Sequence, residues 1–283
     1  MSIATFKEMG TRDSVHTIHK VGGRVILCWG STGSGKSTVA LNLSFELASL
    51  GQRVLLLDAD TYQPSIAAML GLVNAGPGVT AVLRQARSNR LDSDELIRLT
   101  EEISFHNHRL RVLVGINAPT RWRELDSQAL ATLLEFLKSE YDSIIIDSAT
   151  HLEPGLYSET SDVPRNLATT ELIAMADEVL GIFSCDPVGI TRFLWNLRDV
   201  DFEYIPVGNR LRTSVLGRDP ERQVRDTLYQ LARTTVSTFV PEDGAALDAC
   251  QRQAQPLLLA AKSSKTREAI RQLALDLMDQ PAK

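Results

Sequence analysis

The sequence predicts an α/β fold: a doubly wound, mostly parallel sheet of about seven strands flanked by helices. Seven apolar runs, at 25–29, 53–57, 111–116, 143–147, 178–184, 202–207 and 235–240, alternate with helical patterns. Runs this continuous suit strands buried on both faces, and strand–helix alternation makes successive strands parallel. The first run passes through a glycine-rich turn straight into a helical pattern, which is the most specific local signal in the chain. Composition agrees, because 43% hydrophobic and 23% charged residues over 283 positions fit one large soluble domain.

Residues 1–22 read as a lead-in segment, with a short helix expected around 3–9; His16 and His19 lack metal-site spacing. Residues 23–283 carry the domain. Val25-Ile26-Leu27-Cys28-Trp29 is the first strand. The helix at 39–50 follows it, with Val39, Leu43, Leu47 and Leu50 on one face and Gly51 as its stop. The second strand ends in Asp58-Ala59-Asp60, and Pro64 leads into a short helix at 65–70 closed by Gly71.

Helices are expected next at 79–87 and 93–102. Arg84, Arg87, Arg90, Arg98, Arg109 and Arg111 recur there and offer a basic face for nonspecific DNA. Asp92, Asp94, Glu95, Glu101 and Glu102 interleave with them, which favours a solvated helix surface. A strand at 111–116, Trp122 between two arginines, and a helix at 126–138 with Leu130, Leu133, Leu134 and Leu137 inward come next. The strand ending at Asp147 opens a polar loop at 148–166, long enough that function is the usual reason for it. Helices at 168–176, 190–200, 220–233, 244–253 and 265–278 surround the last three strands.

The chemistry starts at Gly30-Ser31-Thr32-Gly33-Ser34-Gly35-Lys36-Ser37-Thr38, which fulfils G-x-x-x-x-G-K-[ST]. The glycines let backbone N–H groups converge on phosphate oxygens, and a helix dipole adds positive charge at the same point. Lys36 then reaches the β- and γ-phosphates of a nucleoside triphosphate, and the Ser37 hydroxyl ligates Mg²⁺. Ligands of such sheets bind at the carboxyl ends of the strands, the edge to which Asp58, Asp60 and Asp147 are delivered. An aspartate closing an apolar strand is the usual second half of a phosphate-loop site, so Asp147 and Asp58 are candidates at the metal. Asp60 is placed to orient the attacking water, a task that needs a carboxylate near the γ-phosphate and little else.

The run Gly51 to Asp60 resembles the corresponding strand of the MinD/ParA group of ATPases, which are P-loop NTPases of the SIMIBI-like kind. Tyr141-Asp142-Ser143-Ile144-Ile145-Ile146-Asp147 is similar to that group's Mg²⁺-site strand. Ala176 to Leu180, Val207-Gly208-Asn209-Arg210 and Phe239-Val240-Pro241-Glu242-Asp243 fall in the expected order. The later segments resemble the CpaE/TadZ branch, which helps position pilus-assembly and secretion machinery at a cell pole. The resemblance implies ATP as the nucleotide, and the guanine-specific N-K-x-D motif is absent. It gives Asp60 a part in hydrolysis, Asn209 adenine recognition, and Arg210, Pro241, Glu242 and Asp243 places in the nucleotide site. It also implies a slow Mg²⁺-dependent ATPase and nucleotide switch that forms an ATP-dependent homodimer. Its protein partner would belong to a polar, pilus/secretion or division machinery.

Two departures stand out. The group carries a second lysine early in its phosphate loop, which reaches across the dimer to the partner's nucleotide. Ser31 occupies that position here, so a trans contact falls to Arg165 or another arginine. With about 22 residues ahead of the first strand, the receiver-like domain that the CpaE/TadZ branch often has is not expected here.

A net charge of −5 argues against a globally basic nucleic-acid binder. No apolar run approaches the ~20 residues of a membrane span, and the first 20 residues lack a signal-peptide core, so a cytoplasmic protein is expected. Cys28, Cys185 and Cys250 form no C-x-x-C pair and read as small hydrophobes. Ile270, Leu273 and Leu277 line one face near the C-terminus, but Asp276, Asp279 and the lack of aromatics favour core packing over membrane-surface binding. Two rival functions remain at this stage. A bacterial tyrosine kinase shares the loop without the second lysine, though Tyr229 is the last tyrosine and the C-terminal cluster is missing. A non-catalytic, ATP-binding recruitment scaffold is the other.

Overall fold

A computed structural model describes residues 22–72, 75–76, 78–153 and 164–280. The lead-in segment and its expected helix lie outside the described residues. Eight strands form one sheet in the order β3-β4-β2-β5-β1-β6-β7-β8. They are β1 (Arg24–Trp29), β2 (Val54–Ala59), β3 (Glu101–Phe105), β4 (His108–Leu113), β5 (Ser143–Ser148), β6 (Glu178–Ser184), β7 (Ile205–Leu211) and β8 (Thr238–Pro241). The helices are α1 (Lys36–Ser49), α2 (Ile66–Met69), α3 (Gly78–Arg87), α4 (Ser93–Leu99), α5 (Ser127–Glu140) and α6 (Leu167–Met175). They continue with α7 (Pro187–Asn196), α8 (Thr213–Leu216), α9 (Pro220–Ala232), α10 (Gly244–Gln253), α11 (Leu257–Ala260) and α12 (Lys265–Asp279).

The doubly wound α/β class holds, with eight strands in place of about seven. The extra strand is β3, which pairs antiparallel with β4 at the sheet edge. The expected 93–102 helix stops at Leu99 because Thr100 turns extended, and its hydroxyl donates back to the Leu96 carbonyl. The chain then enters the hairpin, so the strand expected at 111–116 starts at His108. The strand expected at 202–207 begins later, where Ile205 pairs with Leu180; Phe202 and Tyr204 pack on the core from the connection.

Successive residues of the central strands face opposite layers. Val25, Leu27 and Trp29 join Leu55, Leu57, Ile144 and Ile146 in one core, beneath α3, α5, α6, α7 and α9. Ile26, Cys28, Leu56 and Ile145 join the other, beneath α1 and α12. α12 buries Ile270, Leu273, Ala274 and Leu277 there, as a core-packing helix does. Full burial of each such large aliphatic side chain contributes roughly 1.5–3 kcal/mol. α12 is fixed to α1 by Glu46, 1% exposed, which accepts from Arg267 at 2.7 Å and Arg271 at 3.2 Å. Cys28 and Cys185 are buried and Cys250 is half-buried, all with free thiols. No helix among the described residues is long and apolar enough to cross a membrane.

The arginines at 84–121 are largely neutralised on the spot. Arg84 pairs with Glu124 at 3.4 Å, Arg98 with Glu95 at 2.6 Å, Arg111 with Glu102 at 2.7 Å and Arg121 with Glu124 at 2.6 Å; Arg87 pairs with Asp126. This face is a lattice of ion pairs.

Candidate functional site: a phosphate loop and three strand ends

β1 lies at the middle of the sheet between β5 and β6, so the loop that leaves it opens at the sheet's carboxyl edge. Gly35 sits at φ 88° as the N-cap of α1, and a Cβ there would stand 2.2 Å from Asn209 Nδ2. A side chain is thus excluded both by conformation and by contact. At Gly30 the limit is contact alone, since a Cβ would meet the Ile182 carbonyl oxygen at 2.0 Å.

The first-turn amides of a helix have no partner inside the helix. Asp92, Asp126, Asp186, Asp219 and Asp243 accept hydrogen bonds from the first-turn amides of α4, α5, α7, α9 and α10. α1 has no side-chain cap and no acidic residue in its first turn. Its amides and dipole stay available to an anion.

The loop is held from three sides. Asn209 on β7 donates to the Ser34 carbonyl at 2.8 Å, and its Oδ1 accepts from the Arg210 amide at 2.9 Å. Asn196 at the end of α7 donates to Ser31 Oγ at 3.0 Å. Thr150, beyond β5, donates to the Gly30 carbonyl at 2.9 Å and lies 3.4 Å from the Thr32 hydroxyl. Ser31, where the resemblance would have a lysine, is therefore an anchoring point, 7% exposed.

Three aspartates meet this loop from the neighbouring strands. Asp60 Oδ2 lies 3.3 Å from Lys36 Nζ, both residues being buried. Its Oδ1 accepts from the Tyr62 and Gln63 amides at 2.9 and 3.0 Å, which shapes the turn after β2. Asp58 is fully buried and accepts from three amides: Asp60 at 3.2 Å, Ser65 at 2.9 Å and Ile66 at 3.1 Å. Burial raises its pKa above the usual carboxylate range, and those amides offset part of the shift.

Asp147, in register with Asp58 on the adjacent strand, is also fully buried, and neither of its carboxylate oxygens has a hydrogen-bond partner. Its pKa is raised first by burial and next by the charge of Asp58, while Lys36 and the Ser37 hydroxyl pull the other way. A buried carboxylate with both oxygens unsatisfied is costly unless a ligand completes it. A Mg²⁺ ion with its water shell fits that demand, since such ions keep several waters and take one or two protein oxygens. Among the described residues no group of three His, Cys, Asp or Glu could hold a metal ion. Ser37, Asp147 and phosphate oxygens form the donor set that fits.

The remaining expected residues are spread along the β7–β8 edge. Arg210, at φ 55°, lines a recess of about 190 Å³ beside Ser31, Thr32 and Ser34, and a second of about 320 Å³ with Thr38, Leu247 and Gln251. Pro241 accepts from the Thr266 hydroxyl at 2.7 Å, Glu242 pairs with Arg212 at 2.6 Å, and Asp243 caps α10. Arg165 is occupied within its own chain. It donates to Thr61 Oγ1 at 3.0 Å and to the Thr61 carbonyl at 2.8 Å, between the rings of Tyr62 and Trp122. Nothing in the sequence marks this stacking. Of the loop at 148–166, residues 154–163 lie outside the described residues.

Known proteins resemble this chain in fold. The family model described as ParA, the NUBPL iron-transfer P-loop NTPases, matches residues 20–149. The septum site-determining protein MinD of Synechocystis sp. is 26% identical over 246 residues, 85% of this chain and 83% of that protein. Among solved structures, a ParA family ATPase from Chlorobium tepidum superposes with a TM-score of 0.72 at 18% identity, covering 89% of this chain and 98% of that one. MinD of Pyrococcus horikoshii complexed with Mg-ADP gives 0.69 at 20% identity, over 91% and 96% of the two chains. These likenesses show a shared fold: the eight-stranded, phosphate-loop α/β sheet of this chain is similar to that of the ParA family and MinD structures.

Proposed function

We propose that this protein is a slow, Mg²⁺-dependent ATPase whose nucleotide state serves as a switch in positioning or assembling a cellular machine. One observation carries the reading: Asp147 is a fully buried carboxylate with no partner, in register with Asp58 at the sheet edge that also carries the phosphate loop.

The α1 amides and Lys36 bind the phosphates, and the Lys36 ammonium, 3.3 Å from Asp60 without nucleotide, turns from that carboxylate toward them. Ser37 and Asp147 hold the metal, with Asp58 adding negative charge behind Asp147. Bound Mg²⁺ supplies the positive charge that neutralises the β- and γ-phosphate oxygens. Asp60, released from Lys36 yet still fixed by the Tyr62 and Gln63 amides, orients the water. Arg210 stands where the nucleoside leaves the loop, between the two recesses. Asn209 holds the loop at the Ser34 carbonyl beside the adenine, and Pro241, Glu242 and Asp243 are assigned to the nucleoside end on the resemblance alone.

Switches of this kind read out through protein contacts. An Aquifex aeolicus MinD has been solved in a MinC:MinD cell division protein complex. We infer an analogous protein partner here, of polar, pilus/secretion or division type, and an ATP-dependent homodimer acting in the cytoplasm.

Phosphate release from Mg-ATP tests the reading. Wild-type protein should release phosphate, and Lys36→Ala and Asp60→Ala should each stop it. Absence of release from the wild type, with ATP still bound, would leave the recruitment scaffold. Strong tyrosine autophosphorylation would leave the kinase. Light scattering after size exclusion with ATP, ADP and no nucleotide tests the dimer, and a monomer in all three removes it.

A further inference from the structure

Arg165 stands at the entrance of α6, outside every motif. Its guanidinium donates to Thr61 Oγ1 at 3.0 Å and to the Thr61 carbonyl at 2.8 Å. Thr61 directly follows Asp60 and is 2% exposed. The guanidinium carbon lies 3.8 Å from the centroid of Tyr62 and 4.8 Å from that of Trp122, which sits in the turn Pro119–Glu124 after β4. The Tyr62 hydroxyl donates to Asn166 Oδ1 at 2.7 Å, the Asn166 amide donates to the Glu153 carbonyl at 2.6 Å, and the Tyr62 ring packs on His151 at 4.8 Å. Thus the turn after β2, the turn after β4, and both described ends of the loop after β5 close around one cation.

We propose that Arg165 is a positioning residue for hydrolysis: its fork on Thr61, clamped between Tyr62 and Trp122, fixes the turn that aims the Asp60 carboxylate at the attacking water. This rests on the ATPase reading above. The physical need is specific. In the nucleotide-free protein, Asp60 is held by Lys36 at 3.3 Å as well as by two amides. Once Lys36 turns to phosphate, that side of the turn loses its tether. The Arg165 fork on Thr61 then joins Asp58, which accepts from the Asp60 amide at 3.2 Å, in holding the backbone beside Asp60. A planar guanidinium is suited to it, because it donates twice in one plane while its π surface meets the Tyr62 and Trp122 rings. A lysine has the charge but neither the fork nor the faces. The same clamp joins the Asp60 turn to Glu153 and Asn166, so a displacement of that turn is transmitted to the loop after β5.

The experiment compares wild type, Arg165→Lys, Arg165→Ala and Tyr62→Phe in steady-state phosphate release. It also follows the emission change on adding a non-hydrolysable ATP analogue, taking the part that vanishes in Trp122→Phe. The expected result for Arg165→Lys is a kcat lower by about 10-fold or more, as misplacement of a catalytic group produces, with KM within about threefold of wild type. The Trp122 part of the emission change should be lost in Arg165→Lys and reduced in Tyr62→Phe. Arg165→Lys keeps the charge and is the deciding variant should Arg165→Ala unfold. A wild-type kcat and an unaltered Trp122 signal in Arg165→Lys would overturn the proposal. If the wild type hydrolyses nothing, the ATPase reading fails by itself. The Trp122 signal then decides whether Arg165 couples the Asp60 turn to nucleotide.

Discussion

Asp58 and Asp147 occupy equivalent places. They are the same residue type, in register on adjacent parallel strands, and both are withdrawn from solvent. The chain treats them differently. After β2 it folds back through Pro64, so that the Ser65 and Ile66 amides, with that of Asp60, point into the Asp58 carboxylate. After β5 it runs straight on, and the Thr150 side chain and carbonyl turn to Gly30 and Trp29. Asp147 receives no amide, and only the Ser37 hydroxyl and the Lys36 charge act on it. One carboxylate serves the turn that carries Asp60; the other is left incomplete at a cost in stability. A buried carboxyl whose oxygens find no donor is costly even when it keeps its proton, and a ligand that completes it offsets that cost.

Removing the satisfied partner should do the greater structural harm. Asp58→Ala leaves up to three buried amides without an acceptor, a loss on the order of 3 kcal/mol or more. That corresponds to a melting point lower by roughly 6–12 °C for a domain of this size. Thermal unfolding without nucleotide measures it. A drop no greater than that of an exposed alanine substitution would mean the turn does not depend on Asp58.

Asp147→Asn should behave in the opposite manner. It removes the charge that completes the metal site, and hydrolysis of Mg-ATP should fall by on the order of 100-fold, about 2.7 kcal/mol of barrier. The nucleotide-free protein should lose no stability. A fall in melting point like that of Asp58→Ala would give Asp147 a structural role and erase the contrast.

The pH dependence sharpens it further. Burial and the Asp58 charge raise the Asp147 pKa, so the folded state keeps a proton that the unfolded chain gives up. Stability from this group is therefore complete below the ordinary carboxylate range and is lost as pH rises through the raised pKa. The slope reaches at most about 1.4 kcal/mol per pH unit for one group. Asp147→Asn should flatten the fall in stability between about pH 4 and 8 relative to wild type. Parallel curves for the two proteins would show that Asp147 does not titrate there.

Much of this was legible in the residues. The phosphate loop, the three aspartates at strand ends and the parallel centre follow from local patterns that the structure keeps. The β3–β4 hairpin does not, although Ile103 and Phe105 alternate with polar residues before His106-Asn107, a two-residue turn with His106 at φ 48°. The acidic pair Glu101-Glu102 continues the preceding helical pattern, and only the extended Thr100 breaks it. The jobs of Asn209 and Arg165 are illegible for a different reason. Asn209 meets Ser34 across 175 positions and Arg165 meets Thr61 across 104. No local period records contacts of that kind, which exist only once the strand order is set.

The opposite ends of the same two strands supply the smallest effect. Where β2 and β5 begin, Arg53 and Asp142 form a fork at 2.6 and 3.2 Å, and the Arg53 amide also donates to Asp142 at 2.9 Å. The side chains are 49% and 42% exposed. Hydration already satisfies much of what each charge requires, so this geometry, closer than that of Lys36 and Asp60, should be worth less. Arg53→Ala should cost under about 1 kcal/mol, and less as salt is added. It should leave phosphate release unchanged, since the pair lies at the far end of both strands from the loop. A loss as large as that of Asp58→Ala would show that the two strands depend on charge at either end. Burial and unpaired amides would then no longer explain why the carboxyl edge is the sensitive one.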